Sequence, residues 1–346
     1  MSSWDSIRIR AQFKVLPPDE KKAFIAYVRD YLKAKSFGLH HLIKAKREEG
    51  IECPHCRNKD PKEIVRFGTR KGIQWYRCKP CGKTFSNVTG TLWSRTRKEF
   101  HVWAQFVQCM MDGHSIRKSA ELCELNTRTA FMWRHKVLDA LAQYHGSQPQ
   151  MKGIVEADDT FFRLSYKGGK PIGRKAHRRG EKATKRGLSK EQVCVSCAIE
   201  RNGQVFSRVS ALGTPKAEAL QCVFKKRFAK KAIVCTDNAT AYVKYCKNSR
   251  FQYIQVPNGI KALDIYHVQH VNAYHSQLKQ FISQFKGVAT KYLNNYLVYF
   301  NLIKKGGRNR QELLKLAVKA LVFDRWSDIS SRPAVPLPAV AALAGV

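Results

Sequence analysis

The sequence predicts a multidomain α/β chain in which a small, cysteine-built and helical head precedes a larger strand-rich domain. Three observations predict it: two close cysteine pairs at 53–56 and 78–81, helical periodicity from about 93 to 147, and a change to strand-like runs after Gln148-Pro149-Gln150. A chain of 346 residues with 44% hydrophobic content has material for several ordinary cores.

Residues 1–48 are expected to be a helical segment. Pro17-Pro18-Asp19 opens a helix whose Phe24, Tyr27, Val28, Tyr31 and Leu32 recur at helical spacing as a packing face. The next segment, 49–92, carries Cys53-Pro-His-Cys56 and Cys78-Lys-Pro-Cys81-Gly82, with 21 residues between the pairs. Two such knuckles supply four thiolates in the tetrahedral arrangement of one structural Zn²⁺, the pattern of a zinc ribbon. Trp75, Tyr76 and Phe85 are placed to cover the metal's apolar side. The other seven cysteines, Cys109, Cys123, Cys194, Cys197, Cys222, Cys235 and Cys246, lie in apolar or amphipathic runs and read as buried thiols. Cys194-Val195-Ser196-Cys197 has a redox spacing, but a strand would turn its thiols to opposite faces. So many free thiols imply a reducing, cytoplasmic setting.

Residues 93–147 read as three helices. Phe100, Trp103, Phe106, Val107 and Met110 make the first amphipathic face, Gly113 ends it, Ser115 caps the second helix, and Asn126 or Thr127 caps a third that runs to Leu141. Short turns and a basic last helix suit a helix-turn-helix DNA reader. Thr127, Arg128 and Thr129 at the start of that helix are the candidates for base contact, and Arg134 and Lys136 for phosphate contact.

The larger domain, 151–310, begins with expected strands at 153–162, 191–200 and 204–211, the last two joined by a turn at Arg201-Asn202-Gly203. A helix from Thr214-Pro215-Lys216 to Arg227 leads to strands at 232–236 and 251–256, and a further helix spans 267–286. Asp158 lies on the first strand and Asp237 follows the fourth. The order βββαβ with acids at those places matches ribonuclease H topology, which sets the first and fourth strands side by side and brings the acids together. Paired carboxylates of this kind hold divalent metal for in-line phosphodiester chemistry. Period two puts Glu156 on the face of Asp158, in a supporting place, and turns Asp159 away. On the 267–286 helix, Asn272, His275 and Lys279 run beside the apolar stripe Val271, Tyr274, Leu278, Ile282 and Phe285, so all three are expected to face the acids. A basic, glycine-containing insertion at 163–190 includes Arg174, Lys175, Arg178, Arg179, Lys185 and Arg186, a set suited to tracking DNA. Tyr292, Tyr296, Tyr299 and Phe300 look like the packing face of a last helix, and residues 311–346 read as a C-terminal helix and loose tail.

Charge narrows the substrate. With 63 Lys+Arg against 26 Asp+Glu the formal net charge is +37, which points to a polyanion such as nucleic acid. No apolar run approaches the ~20 residues of a membrane-spanning helix, and no signal peptide is visible in residues 1–30.

The motifs together resemble bacterial insertion-sequence transposases that join a zinc ribbon and helix-turn-helix to a DDE-type, ISXO2-like ribonuclease H core. The resemblance rests on the two cysteine knuckles, Thr89-Gly90-Thr91, Val155-Glu156-Ala157-Asp158-Asp159-Thr160, Thr236-Asp237-Asn238, Val271 to Lys279, and Gly287-Val288 with Lys291-Tyr292-Leu293. It implies binding to the terminal inverted repeats of a mobile element, then cleavage and strand transfer into double-stranded target DNA with two Mg²⁺, or Mn²⁺ in their place. It also implies a homo-oligomer on DNA and a bacterial, nucleoid-associated location. Asp158 and Asp237 match the family's first two acids, while Asn272 stands where the third, a glutamate, is expected. Asn272 or His275 is then the third ligand, and Lys279 a phosphate contact. The alternatives are a transposase-derived protein that binds DNA without cutting it and a zinc-ribbon DNA-binding regulator.

Overall fold

In the computed structural model, the residues described are 15, 17–22, 50–70, 73–92, 94, 96–146, 149–168, 184–249, 251–257, 259, 262–306 and 333–338. The expected packing face at residues 24–32, most of the C-terminal tail and Arg174, Lys175, Arg178 and Arg179 of the insertion lie outside them. Contacts divide the chain into two compact units, the first ending at Ala130 and the second beginning at Phe131. Among the described residues no helix is long and apolar enough to cross a membrane.

The first unit contains a three-stranded antiparallel sheet, ordered β1-β2-β3, from β1 (Ile64–Arg70), β2 (Ile73–Cys78) and β3 (Thr84–Ser86). Its small core is Ile64, Tyr76 and Phe85 with buried Cys53 and Cys78. Helices α1 (Phe100–Met111) and α2 (Ile116–Leu122) follow. Trp103, Phe106, Val107 and Met110 are buried along α1 at the expected helical spacing, and the Ser115 hydroxyl accepts the Lys118 N–H to cap α2. Asn126 caps α3 (Thr127–Gly146) by accepting the Arg128 N–H at 2.8 Å. The boundary between the units falls inside α3, so its first residues group with α1 and α2 while its body belongs to the second unit.

That body is more buried than a DNA-reading helix needs. Trp133, Arg134 and His135 are buried in succession, and the His135 ring stacks on Tyr292 with centroids 4.0 Å apart. The expectation that Arg134 touches phosphate is corrected here: it is 1% exposed and its guanidinium meets the Tyr296 hydroxyl, which leaves no path to a backbone phosphate. Lys136 is half-buried, whereas Thr127 and Arg128 are exposed and Thr129 half-buried.

The second unit is built on a five-stranded sheet of order β6-β5-β4-β7-β8: β4 (Ile154–Arg163), β5 (Gln192–Glu200), β6 (Val205–Leu212), β7 (Ile233–Thr236) and β8 (Gln252–Gln255). β4, β5 and β6 pair antiparallel, while β7 runs parallel to β4 and β8 parallel to β7. The β5–β6 turn uses Gly203 at φ +102°, backbone that a side chain would strain. One face of the sheet packs Val155, Ala157 and Val234 on α4 (Ala217–Val223) and α5 (Thr240–Lys247) through Leu220, Phe224, Tyr242 and Tyr245. The other packs Val193, Val195, Cys197 and Val209 on α6 (Gln269–Ser283) and α7 (Leu293–Gly306) through Val271, Tyr274, Leu278 and Leu297. Helices on both faces explain why β5 is buried along nearly its whole length. Tyr274 anchors α6 to the sheet, its hydroxyl bonding Ser207 at 2.8 Å and Asn301 at 2.6 Å inside this core.

Candidate active site and metal centres

Each of the two units holds a residue cluster with the chemistry of a metal centre. In the first unit the four cysteine sulfurs lie within 4.8 Å of one another, with Cys53 Sγ 3.7 Å from Cys81 Sγ and Cys56 Sγ 3.5 Å from Cys78 Sγ. A tetrahedron with Zn–S bonds of about 2.3 Å has edges of about 3.8 Å, so the donor set fits zinc. Burial opposes ionisation of Cys53, but backbone N–H groups of Cys56 and His55 outweigh it and bring the thiol down to about 7. The thiolate that zinc requires is therefore within reach at neutral pH.

In the second unit the parallel register pairs Glu156 of β4 with Cys235 of β7. Continued by two residues, the same register brings Asp158 beside Asp237, which follows the last residue of β7. The Asp237 carboxylate accepts the Ala239 N–H at 3.1 Å, fixing the turn into α5. Asp158 Oδ1 accepts the Asp159 N–H at 2.7 Å. Burial first, then the charges of Asp237 and Asp159, push the Asp158 carboxyl up to about 7, against the pull of the Asp159 N–H and of Lys279. Asp159 faces α5, where Tyr242 donates to it at 2.9 Å, and burial with the charge of Asp237 raises it to about 6. Three acids crowd a low-dielectric site whose nearby cation is Lys279. Such a cluster has the oxygen donors and the unbalanced charge that a divalent ion satisfies.

Helix α6 supplies the remaining groups. His275 Nδ1 lies 3.8 Å from Asp158 Oδ2, and its Nε2 is buried without a hydrogen-bond partner. Burial, and then Lys279, lower the imidazole to about 4, so it is neutral at physiological pH. A neutral ring with an unused nitrogen is a ligand or a proton acceptor rather than a cation. Lys279 is exposed one turn further on. Asn272 lies on the same stripe of α6 as His275 and Lys279. It is exposed, and among the described residues its side chain makes no hydrogen bond to either acid.

One group was underrated by sequence reasoning. Glu156 is fully buried and accepts the backbone N–H groups of His270 at 2.8 Å and Val271 at 3.2 Å, so its carboxylate sits on the positive end of α6. Period two placed it on the right face, but its partners came from a helix more than a hundred residues away.

The crowding of the acids predicts how the metal-free chain responds to pH. Both Asp158 and Asp159 are raised above the ordinary carboxylate value of 3.8, to about 7 and about 6. A raised carboxyl favours the folded state below its unfolded pKa, and that advantage is lost as pH climbs through the folded value. Asp158→Asn is therefore expected to stabilise the metal-free protein at pH 8 by on the order of 2 kcal/mol and to have little effect near pH 4. Denaturant melts of both proteins in chelator across that range check it; an equal effect at both pH values contradicts the reading.

Residues 150–301 match the family model described as ISXO2-like transposase domain. An uncharacterized protein in transposable element ISH50 of Halobacterium salinarum is 23% identical over 264 residues, covering 75% of this chain and 87% of that protein. Among solved structures, a simian T-cell lymphotropic virus intasome in complex with PP2A regulatory subunit B56 gamma aligns at TM-score 0.28 and 12% identity, over 57% of this chain and 68% of that one. A pre-cleavage Mos1 transpososome aligns at TM-score 0.20 and 12% identity, over 64% and 78%. Residues 150–301 are thus similar to an ISXO2-like transposase domain, and the chain is similar over most of its length to a protein of a transposable element.

Proposed function

We propose that this chain is a transposase that binds the terminal inverted repeats of its element through the head and cuts and joins DNA at the Asp158–Asp237 centre. The observation that carries the proposal is the half-buried Asp158, raised first by desolvation and then by the charge of Asp237 at the adjoining end of a parallel strand pair. Divalent Mg²⁺ or Mn²⁺ held there supplies Lewis-acid activation of the attacking oxygen and stabilises the leaving one. Asp158 and Asp237 hold it; neutral His275 offers a nitrogen beside Asp158, and Asn272 is within one helical turn to offer an amide oxygen once DNA is present. Lys279 is placed to meet a phosphate oxygen, since it is exposed and already acts on the charge of Asp158.

In the head, zinc on Cys53, Cys56, Cys78 and Cys81 holds the ribbon, and a helix-turn-helix from α1, α2 and the start of α3 reads DNA. Thr127, Arg128 and Thr129 are the base-contacting set, and Lys136 a flanking contact. Exposed Lys185 and Arg186 extend the basic surface in the second unit. The net charge of +37 supports a double-stranded DNA partner. Two ends must be processed together, which favours a homo-oligomer on DNA.

The test is incubation with linear DNA carrying the element's own ends in Mg²⁺. Nicks at the junctions and joined products are expected from the wild type and not from Asp237→Ala. Identical behaviour of the two proteins would leave the alternative of a transposase-derived, non-cutting DNA binder.

A further inference from the structure

A second cluster of metal-ligating atoms lies just upstream of the catalytic acids. Glu156 Oε1 is 3.1 Å from His267 Nδ1 and 2.6 Å from His270 Nδ1, and the three atoms all lie within 4.8 Å of one another. Their division of labour is specific. Glu156 Oε2 receives the two backbone N–H groups at the start of α6, which leaves Oε1 facing the two imidazoles.

The hydrogen bonds of His267 are in conflict without a cation. Its Nδ1 accepts the Gln269 N–H at 3.3 Å, which requires a lone pair on that nitrogen. A lone pair 3.1 Å from a buried carboxylate oxygen is repulsive, whereas a proton placed there collides with the amide N–H. A metal ion shared by Oε1 and both Nδ1 atoms uses the lone pairs as they stand. Among the described residues Arg201 is the other charge on Glu156, its Nε 3.6 Å from Oε1; its terminal nitrogen is held by the Ile265 carbonyl, so the guanidinium is tethered from the other side.

We infer that Glu156, His267 and His270 form a site for zinc or another late first-row divalent ion, separate from the catalytic acids and from the cysteine cluster. Two imidazoles and one carboxylate are the donor set such ions select over Mg²⁺, and three protein ligands leave further positions to water. His270 is 56% exposed, so the ion reaches the site from solvent. Its effect is positional: it ties the first turn of α6, the helix that carries Asn272 and His275, to β4 two residues before Asp158. The inference stands on these three side chains and does not rest on the transposase reading.

Zinc content of the full-length protein, measured after dialysis from excess Zn²⁺, tests it. About two ions per chain are expected in the wild type and about one in a His267→Ala, His270→Ala double variant, in which Glu156 keeps its backbone partners. Cobalt substitution separates the sites, because the cysteine cluster gives thiolate-to-cobalt charge transfer and this one does not. The variant should lose the cobalt equivalent that lacks that band. Retention of both ions by the double variant, a single wild-type ion that carries the thiolate band, or loss of the second ion in Asp158→Asn with Asp237→Asn would each overturn the inference.

Discussion

Asp158→Asn is expected to reduce single-turnover cleavage of element-end DNA by on the order of 10³-fold or more while leaving DNA affinity nearly unchanged. The substitution keeps the shape of the side chain and can still accept the Asp159 N–H that fixes it. What it removes is one of the two charges that a divalent ion must balance. Because the wild-type carboxyl is half-buried and raised to about 7, the metal-free protein tolerates the neutral amide well, so the loss cannot be attributed to unfolding. Gel-resolved cleavage beside a filter-binding titration separates the two effects. A variant that binds and cuts like the wild type would remove Asp158 from the centre.

Loss of the cysteine cluster should have the other large effect, and it should be confined to the head. Cys78 is fully buried, 3.5 Å from Cys56 in sulfur-to-sulfur distance, and the core around it has few apolar side chains beyond Ile64, Tyr76 and Phe85. So small a core is not self-sufficient, and structural zinc contributes on the order of 10 kcal/mol to folding such modules. Cys78→Ser, or strong chelation, is expected to unfold roughly residues 50–92 and to abolish sequence-specific binding. Hydrogen exchange should lose protection over β1 to β3 and keep it over β4 to β8. Native protection in β1 to β3 after chelation would show that the sheet stands without metal.

Much of the second unit was legible in the chain because its signals are local. Strand-period runs gave β4 to β8 within a residue or two, and Asn202-Gly203 marked the hairpin whose glycine takes φ +102°. The acids were legible because each closes or interrupts an apolar run, where a charge needs a reason. Helix α5 escaped notice: its eight residues are too short to establish a period, and Tyr242 is recognisable as a partner of Asp159 only once the strands are in register. The helix expected from 216 to 227 stops at Val223, since Phe224 turns into the aromatic cluster with Phe206 and Phe228. Arg134 misled for a different reason. A basic residue on an amphipathic helix ordinarily faces solvent, and nothing local signals that Tyr296, far along the chain, will cover it. Glu156 shows the same limit in the favourable direction, because its buried role is set by the start of α6.

A divalent ion held by both Asp158 and Asp237 is central to the proposed function, and Mn²⁺ binding followed by electron paramagnetic resonance on the zinc-loaded protein measures it directly. The prediction is that the wild type immobilises Mn²⁺ which neither Asp158→Asn nor Asp237→Asn retains, and that cleavage of element-end DNA rises over the same Mn²⁺ range. Equal Mn²⁺ binding by the wild type and both variants would contradict it.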